Sequence, residues 1–176
     1  MTETLLISQT DLQDVKAIPA SVTFDRLAPY ILQAQWFDIR EQLGDVFYTD
    51  MMLNYSSTPY NTLLRGGTYL DANSNTINFL GMYYAVCYYA YSKFILNQQI
   101  AVTSFGVVQK TNEFSQGVDS KTIALQANQS ILSGDALMND VKKYLDLNTA
   151  LFPLWNVQSC NQKRSPVNGF TRVSRV

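Results

Sequence analysis

The chain has 176 residues, 47% of them hydrophobic and 15% charged, with a net charge of −1. This length fits one domain, the apolar share excludes a disordered chain, and the small net charge gives no general attraction to nucleic acid. Histidine is absent, which removes the commonest general base and the commonest metal ligand.

The opening MTETLLISQ has neither a basic segment nor a long apolar run, so no signal peptide is expected. Ser8 or Thr10 is placed to cap a short helix running to Ile18, with Asp11 and Asp14 near its positive end and Pro19 as its stop. Thr23 reads as the next N-cap. Two apolar stripes follow it, one through Ala28, Leu32, Ile39 and Leu43, the other through Leu27, Ile31 and Ala34. A helix apolar on two sides predicts more than one neighbour. Pro29 sits early enough in this helix to cost little, or else kinks it, and Gly44 suits its C-terminal end.

Residues 45–57 predict a shorter helix, and a weak helical turn runs to Leu64 after Pro59. RGGTYLDANSNT reads as a loop by composition. Ile77–Gln99, INFLGMYYAVCYYAYSKFILNQQ, then predicts a long helix capped by Thr76. It is apolar on all sides and rich in tyrosine. That suits a central helix whose hydroxyls reach partners, with a membrane span as the weaker alternative because tyrosine favours membrane interfaces over their centre.

Asp119 is placed to cap the other long helix. Its stripe of Ile123, Ala127, Ile131, Gly134, Met138, Val141 and Leu145 recurs at spacings of three and four. Between the two long helices lies TSFGVVQKTNEFSQG, Thr103 to Gly117, which has strand-like runs and bends but too little apolar content for a sheet of its own. It reads as an assembly element that completes its pairing with another chain or with the C-terminal tail. A hairpin closed within the chain is the alternative.

Leu151, Phe152, Leu154 and Trp155 are expected to anchor the chain back on the bundle. Beyond them Lys163, Arg164, Arg172 and Arg175 are the only charges. That leaves the tail at +4 and the rest, with 9 basic and 14 acidic residues, at −5. A basic tail on an acidic body suggests a docking arm, a solvated tail being the alternative. The fold class is therefore mainly α: a bundle of about four to five helices, with a short hairpin or strand segment at about 100–117 between the two longest. The domain assignment is 1–155 for the helical part and 156–176 for an extended basic arm.

Little in the sequence carries chemistry. Cys87 and Cys160 are far apart and form neither a metal knuckle nor a disulfide framework, which predicts free thiols in a reducing compartment and Cys87 as a small core residue. Arg65-Gly66-Gly67 reads as a flexible turn, with an anion site as the alternative. Asp38 and Glu41, three apart on one helix with Arg40 beside them, read as a solvated face. Their alternative is an acid–base pair in an enzyme. No catalytic residue, cofactor or metal is assigned, and the protein is expected not to be an enzyme.

An interaction protein is what remains, since tyrosine is enriched at protein interfaces. LLISQTDLQDVKAI, LAPYILQAQWFDIREQLGDVFYTDM, YYAVCYYAYSKFI and VTSFGVVQKTNEFSQGVDSK, followed by a long helix, come in an order that resembles the head–tail connector, or adaptor, proteins of tailed bacteriophages. It is most similar to those of crAss-like and other Bacteroidetes phages, over most of residues 5–146. The resemblance implies a structural virion protein made in the bacterial cytoplasm and placed in the neck. It implies a homo-oligomeric ring of twelve copies that docks on the portal protein and joins it to the next ring or tail protein. DNA then passes through its channel without sequence-specific binding, and no membrane is involved.

The residues expected at oligomer or partner contacts are Phe105, Val107, Val108, Gln109 and Phe114 in the strand-bearing stretch. Tyr84, Tyr88 and Tyr91 are expected there from the tyrosine helix, and Arg164, Phe170, Arg172 and Arg175 from the tail. A small helical assembly chaperone or regulatory protein acting transiently on one partner is the alternative function.

Overall fold

A computed structural model describes residues 4–98, 100–103, 106–109 and 119–155. The described chain is mainly helical. Its elements are α1 (Gln9–Val15), α2 (Phe24–Gln33), a π-helical segment (Ala34–Ile39), α3 (Arg40–Leu43), α4 (Asp45–Asn54) and α5 (Tyr60–Arg65). They continue with β1 (Gly67–Leu70), β2 (Thr76–Phe79), α6 (Met82–Gln98), β3 (Ile100–Thr103), β4 (Gly106–Gln109) and α7 (Ser120–Leu147). The bundle and the hairpin between its two longest helices, α6 and α7, are as the sequence predicts. Short helices, and the division of the 24–43 helix, bring the described α-helices to seven.

Local sequence explains most of the ends. Ser8 and Asp11 form a reciprocal capping box on α1, which ends at Val15, three residues short of the expected last residue, Ile18. Thr23 and Asp119 stand at the N-cap positions of α2 and α7 without a side-chain capping bond. Gly44, at φ 80°, separates α3 from α4.

The two stripes read on residues 24–43 belong to one face. The π segment adds a residue per turn, so Leu27 and Ile31 before it, Ala34 and Ile39 at its two ends and Leu43 after it are all buried. Ala28 and Leu32 are half-buried. Gln35, buried in the π segment, accepts from Leu6 N at 2.8 Å and donates to Thr4 O at 3.2 Å, which ties the N-terminal segment to the bundle.

The loop expected after Arg65 and the first turn of the tyrosine helix are instead an antiparallel hairpin. β1 pairs with β2 from Gly67↔Phe79 to Leu70↔Thr76, and α6 begins only at Met82. Thr76 is therefore a strand residue and not a helix cap. Two glycines allow this. Gly66 (φ 89°) and Gly81 (φ 86°) pass so closely that a Cβ on Gly66 would lie 2.4 Å from Phe79 O, and one on Gly81 would lie 2.5 Å from Gly66 N. Asp71 shapes the turn: its carboxylate accepts from Asn73 N and Asn75 N, both at 2.8 Å, and holds its pKa low mainly through the Asn75 side chain.

α6 and α7 run antiparallel, as three contacts show. Ser130 Oγ donates to Tyr88 O (3.1 Å), Gln126 Nε2 donates to the Tyr91 hydroxyl (3.0 Å), and Tyr89 meets Gly134. The two hairpins therefore sit at opposite ends of this pair. Against α7, on the β1–β2 side, Phe79 stacks on Tyr144 at 4.6 Å. Phe152 extends that cluster to Phe47 and Tyr60. Phe152 is buried and Leu154 and Trp155 pack on the core, whereas Leu151 is exposed.

Tyr89 is fully buried against Gly134. A Cβ at 134 would meet the Tyr89 ring at 2.8 Å. The ring has little room to retreat because its hydroxyl is bonded on two sides, to Gln42 and Asp135. Gly134→Ala is therefore expected to destabilise the fold by about 1–3 kcal/mol, the overpacking cost outweighing the gain of about 1 kcal/mol in helix propensity. Urea unfolding midpoints check this, and a more stable variant would overturn it.

Candidate interaction surfaces

The tyrosines of α6 expected at contacts, Tyr84, Tyr88 and Tyr91, share one side of the helix and are half-buried. Part of their surface is taken up within the chain. The Lys16 ammonium lies 3.6 Å over the Tyr88 ring and 4.9 Å from that of Tyr91. Partial burial holds Lys16 below its ordinary pKa. Tyr84 leans on Tyr83 at 4.3 Å.

Val107, Val108 and Gln109 lie on β4, opposite Val102, Ala101 and Ile100 of β3. The described part of this stretch thus forms a hairpin within the chain, the alternative given for it. Among the described residues each of the two strands pairs only with the other. Phe105, Phe114, Arg164, Phe170, Arg172 and Arg175, and the arm at 156–176, lie outside the described residues.

The stripe on α7 buries Ala127, Gly134, Met138, Val141 and Leu145 as expected, with Ile123 and Ile131 half-buried. Sequence reasoning missed what the opposite side carries. Leu125 and Leu132 are 59% and 67% exposed and stand one heptad apart, facing away from the core. Leu96, also exposed, lies near the end of α6 beside the β3–β4 hairpin. The signal was present as leucines at positions the stripe assigns to solvent.

Two of the candidate chemical residues, Asp38 and Arg65, are engaged in ion pairs. Asp38 pairs with Lys93 at 2.9 Å. Burial pushes the Asp38 carboxyl above the usual range, against the pull of Lys93. Glu41 is exposed. Nearby, Lys142 Nζ donates to Gln42 Oε1 (2.8 Å), Gln42 Nε2 donates to the Tyr89 hydroxyl (2.8 Å), and Tyr89 donates to Asp135 (2.6 Å). This chain of bonds ties α3, α6 and α7 together. Burial, then the Asp135 carboxylate, pushes the Tyr89 phenol far up, so it is a fixed donor and not a base.

Arg65 bonds Asp11 at 2.6 Å and lies 5.4 Å from the Tyr83 ring, so its charge is already matched. Cys87 is buried, its thiol pushed up to about 12 chiefly by burial, as a core cysteine should be. Among the described residues no three His, Cys, Asp or Glu side chains gather in a way that suits a metal ion, and no helix is long and apolar enough to cross a membrane.

A family model described as a family of unknown function, DUF6712, matches residues 39–165. The chain belongs to that family. No curated protein and no solved structure matches it. The matched span begins at the end of the π segment and takes in both hairpins, α6 and α7.

The Asp11 ion pair has a pH signature. Partial burial acts to raise the Asp11 carboxyl, but its bonds from Arg65 and Ser8 outweigh this and hold it below its ordinary value. A lowered folded-state pKa contributes stability that is complete above the unfolded value and is lost as pH falls through the folded one. Asp11→Asn should therefore cost about 1 kcal/mol at pH 7 and flatten the loss of stability below about pH 4. Urea unfolding at pH 7 and pH 3 checks it; an unchanged acid slope would contradict the assignment.

Proposed function

We propose that this chain is a structural virion protein, a ring-forming head-to-tail connector that docks on the portal and joins it to the tail in the phage neck. The observation that carries the reading is the outward face of α7, where Leu125 and Leu132 stand exposed on the helix that follows the β3–β4 hairpin. A ring is a head-to-tail assembly, and each subunit needs two different complementary patches. The leucine face supplies an apolar one. The half-buried Tyr84, Tyr88 and Tyr91 side of α6 supplies a polar-tipped one.

Further support comes from the order of sequence phrases shared with connector proteins and from a bundle with a hairpin between its longest helices. The acidic balance before the tail also fits a channel through which DNA slides, because phosphate contacts with basic side chains drive DNA affinity. Asp38 and Arg65 are each held in an ion pair within the chain, which fits a structural role.

Proteomics of purified virions, with mass measurement of assembled portal complexes, tests the reading. A fixed multiple of copies per virion, twelve for the proposed ring, is expected. Absence from virions would overturn it and favour the assembly chaperone. Leu125→Lys with Leu132→Lys should leave the helical circular dichroism intact and abolish incorporation into the complex. Incorporation at the wild-type level would remove the α7 face from the ring contact.

A further inference from the structure

The face of the β1–β2 hairpin and the C-terminal half of α7 enclose a groove of about 540 Å³. Its walls are apolar, with Phe79, Leu137 and Leu147 among them, and Leu80 and Leu147 are each nearly half exposed. Its balance is acidic: Asp71, Asp140 and Asp146 line it, and the one cation among the lining residues, Lys143, pairs with Asp140 at 2.8 Å, which leaves Asp71 and Asp146 as the net charge. An open apolar trough edged by carboxylates suits an extended basic segment that carries apolar side chains.

The chain itself brings such a segment to the groove. Trp155 is the last described residue, and its indole nitrogen donates to Asp146 at 2.7 Å while its ring packs on Phe47 at 5.5 Å. Residues 156–176 therefore leave from the rim. They hold Lys163, Arg164, Arg172 and Arg175 with no acidic residue, and Val167, Phe170 and Val173 among them.

We propose that this groove takes residues 156–176 of its own chain. Reach is ample: an extended segment covers about 3.3 Å per residue, whereas the α7 wall from Leu137 to Leu147 is only about 15 Å long. Tethering at the rim gives the segment an effective concentration of the order of millimolar, above that of any second copy in dilute solution. The attraction between the basic segment and the acidic rim holds at low salt and weakens as salt screens it. The arm of the free chain is thus parked on its own body, and a partner that claims the arm must first draw it out. This inference does not depend on the ring reading.

Limited trypsin digestion of the full chain, followed by mass spectrometry, tests it at Lys163, Arg164 and Arg172. A synthetic peptide of residues 156–176 gives the unprotected rate. Cleavage tracks the population in which the arm is free. In the wild-type chain, cutting about tenfold slower than in the peptide is expected. The protection should be unchanged across protein concentration and lost as salt rises. The double variant Asp140→Lys, Leu147→Lys, at two exposed positions, should be cut at the peptide rate while keeping its circular dichroism. Leu80→Lys on the other wall is the second variant if the first does not fold. Cutting of the wild type at the peptide rate would overturn the proposal, as would protection that survives a folded groove variant. Protection that grows with protein concentration would assign the groove to the arm of a second copy instead.

Discussion

The bundle depends on one crossing, where the Tyr89 ring packs closely against Gly134. Any side chain at 134 would force α6 and α7 apart, and any smaller ring at 89 would leave a void between them. The hydroxyl at the end of that ring receives a bond from Gln42 on α3 and gives one to Asp135 on α7. Lys142, nearly two turns further along α7, holds the other end of Gln42. A single phenol thus sets the spacing of two helices and the placement of a third, and its polar atoms are satisfied inside a packed region. Lys93 and Asp38 add a fourth link close by. Groups that would read as catalytic in isolation are used to fix the bundle.

Legibility followed the periodicity. α7 was readable because its buried residues recur at regular helical spacing over many turns, whereas the leucines on its back were missed. α6 was readable as a helix, but its start was not. Ile77 and Phe79 fit a helical stripe as well as they fit the alternation of β2. What decides between them is the approach of Gly66 to Gly81, a contact between residues 15 apart that neither local pattern announces. The two stripes expected on residues 24–43 are one buried face, with Ala28 and Leu32 only half-buried beside it. Their union into one face needs the π turn, which has no signature in the sequence.

The candidate surfaces divide in the same way. Side chains that meet a partner within the chain, such as Tyr88 with Lys16, look in sequence like side chains awaiting an external one. Tyrosine composition alone does not separate the two cases, because the same amphipathic ring serves both. Exposed leucines on a helix whose other side is fully used are a clearer sign, since no described core remains for them to join.

The π segment acts as a phase shifter. Each residue added to a helix rotates everything beyond it by about 100°. Ala34–Ile39 carries one such step between the first half of the long helix and the second. It turns Ile39 and Leu43 onto the line set by Leu27 and Ile31. It also turns the exposed Phe37, beside Asp38, outward at the α7 side of the bundle, where Ile131 and Asp135 lie. A helix of ideal pitch would serve either its first core contact or its last. The local irregularity is what keeps both halves of residues 24–43 on the core.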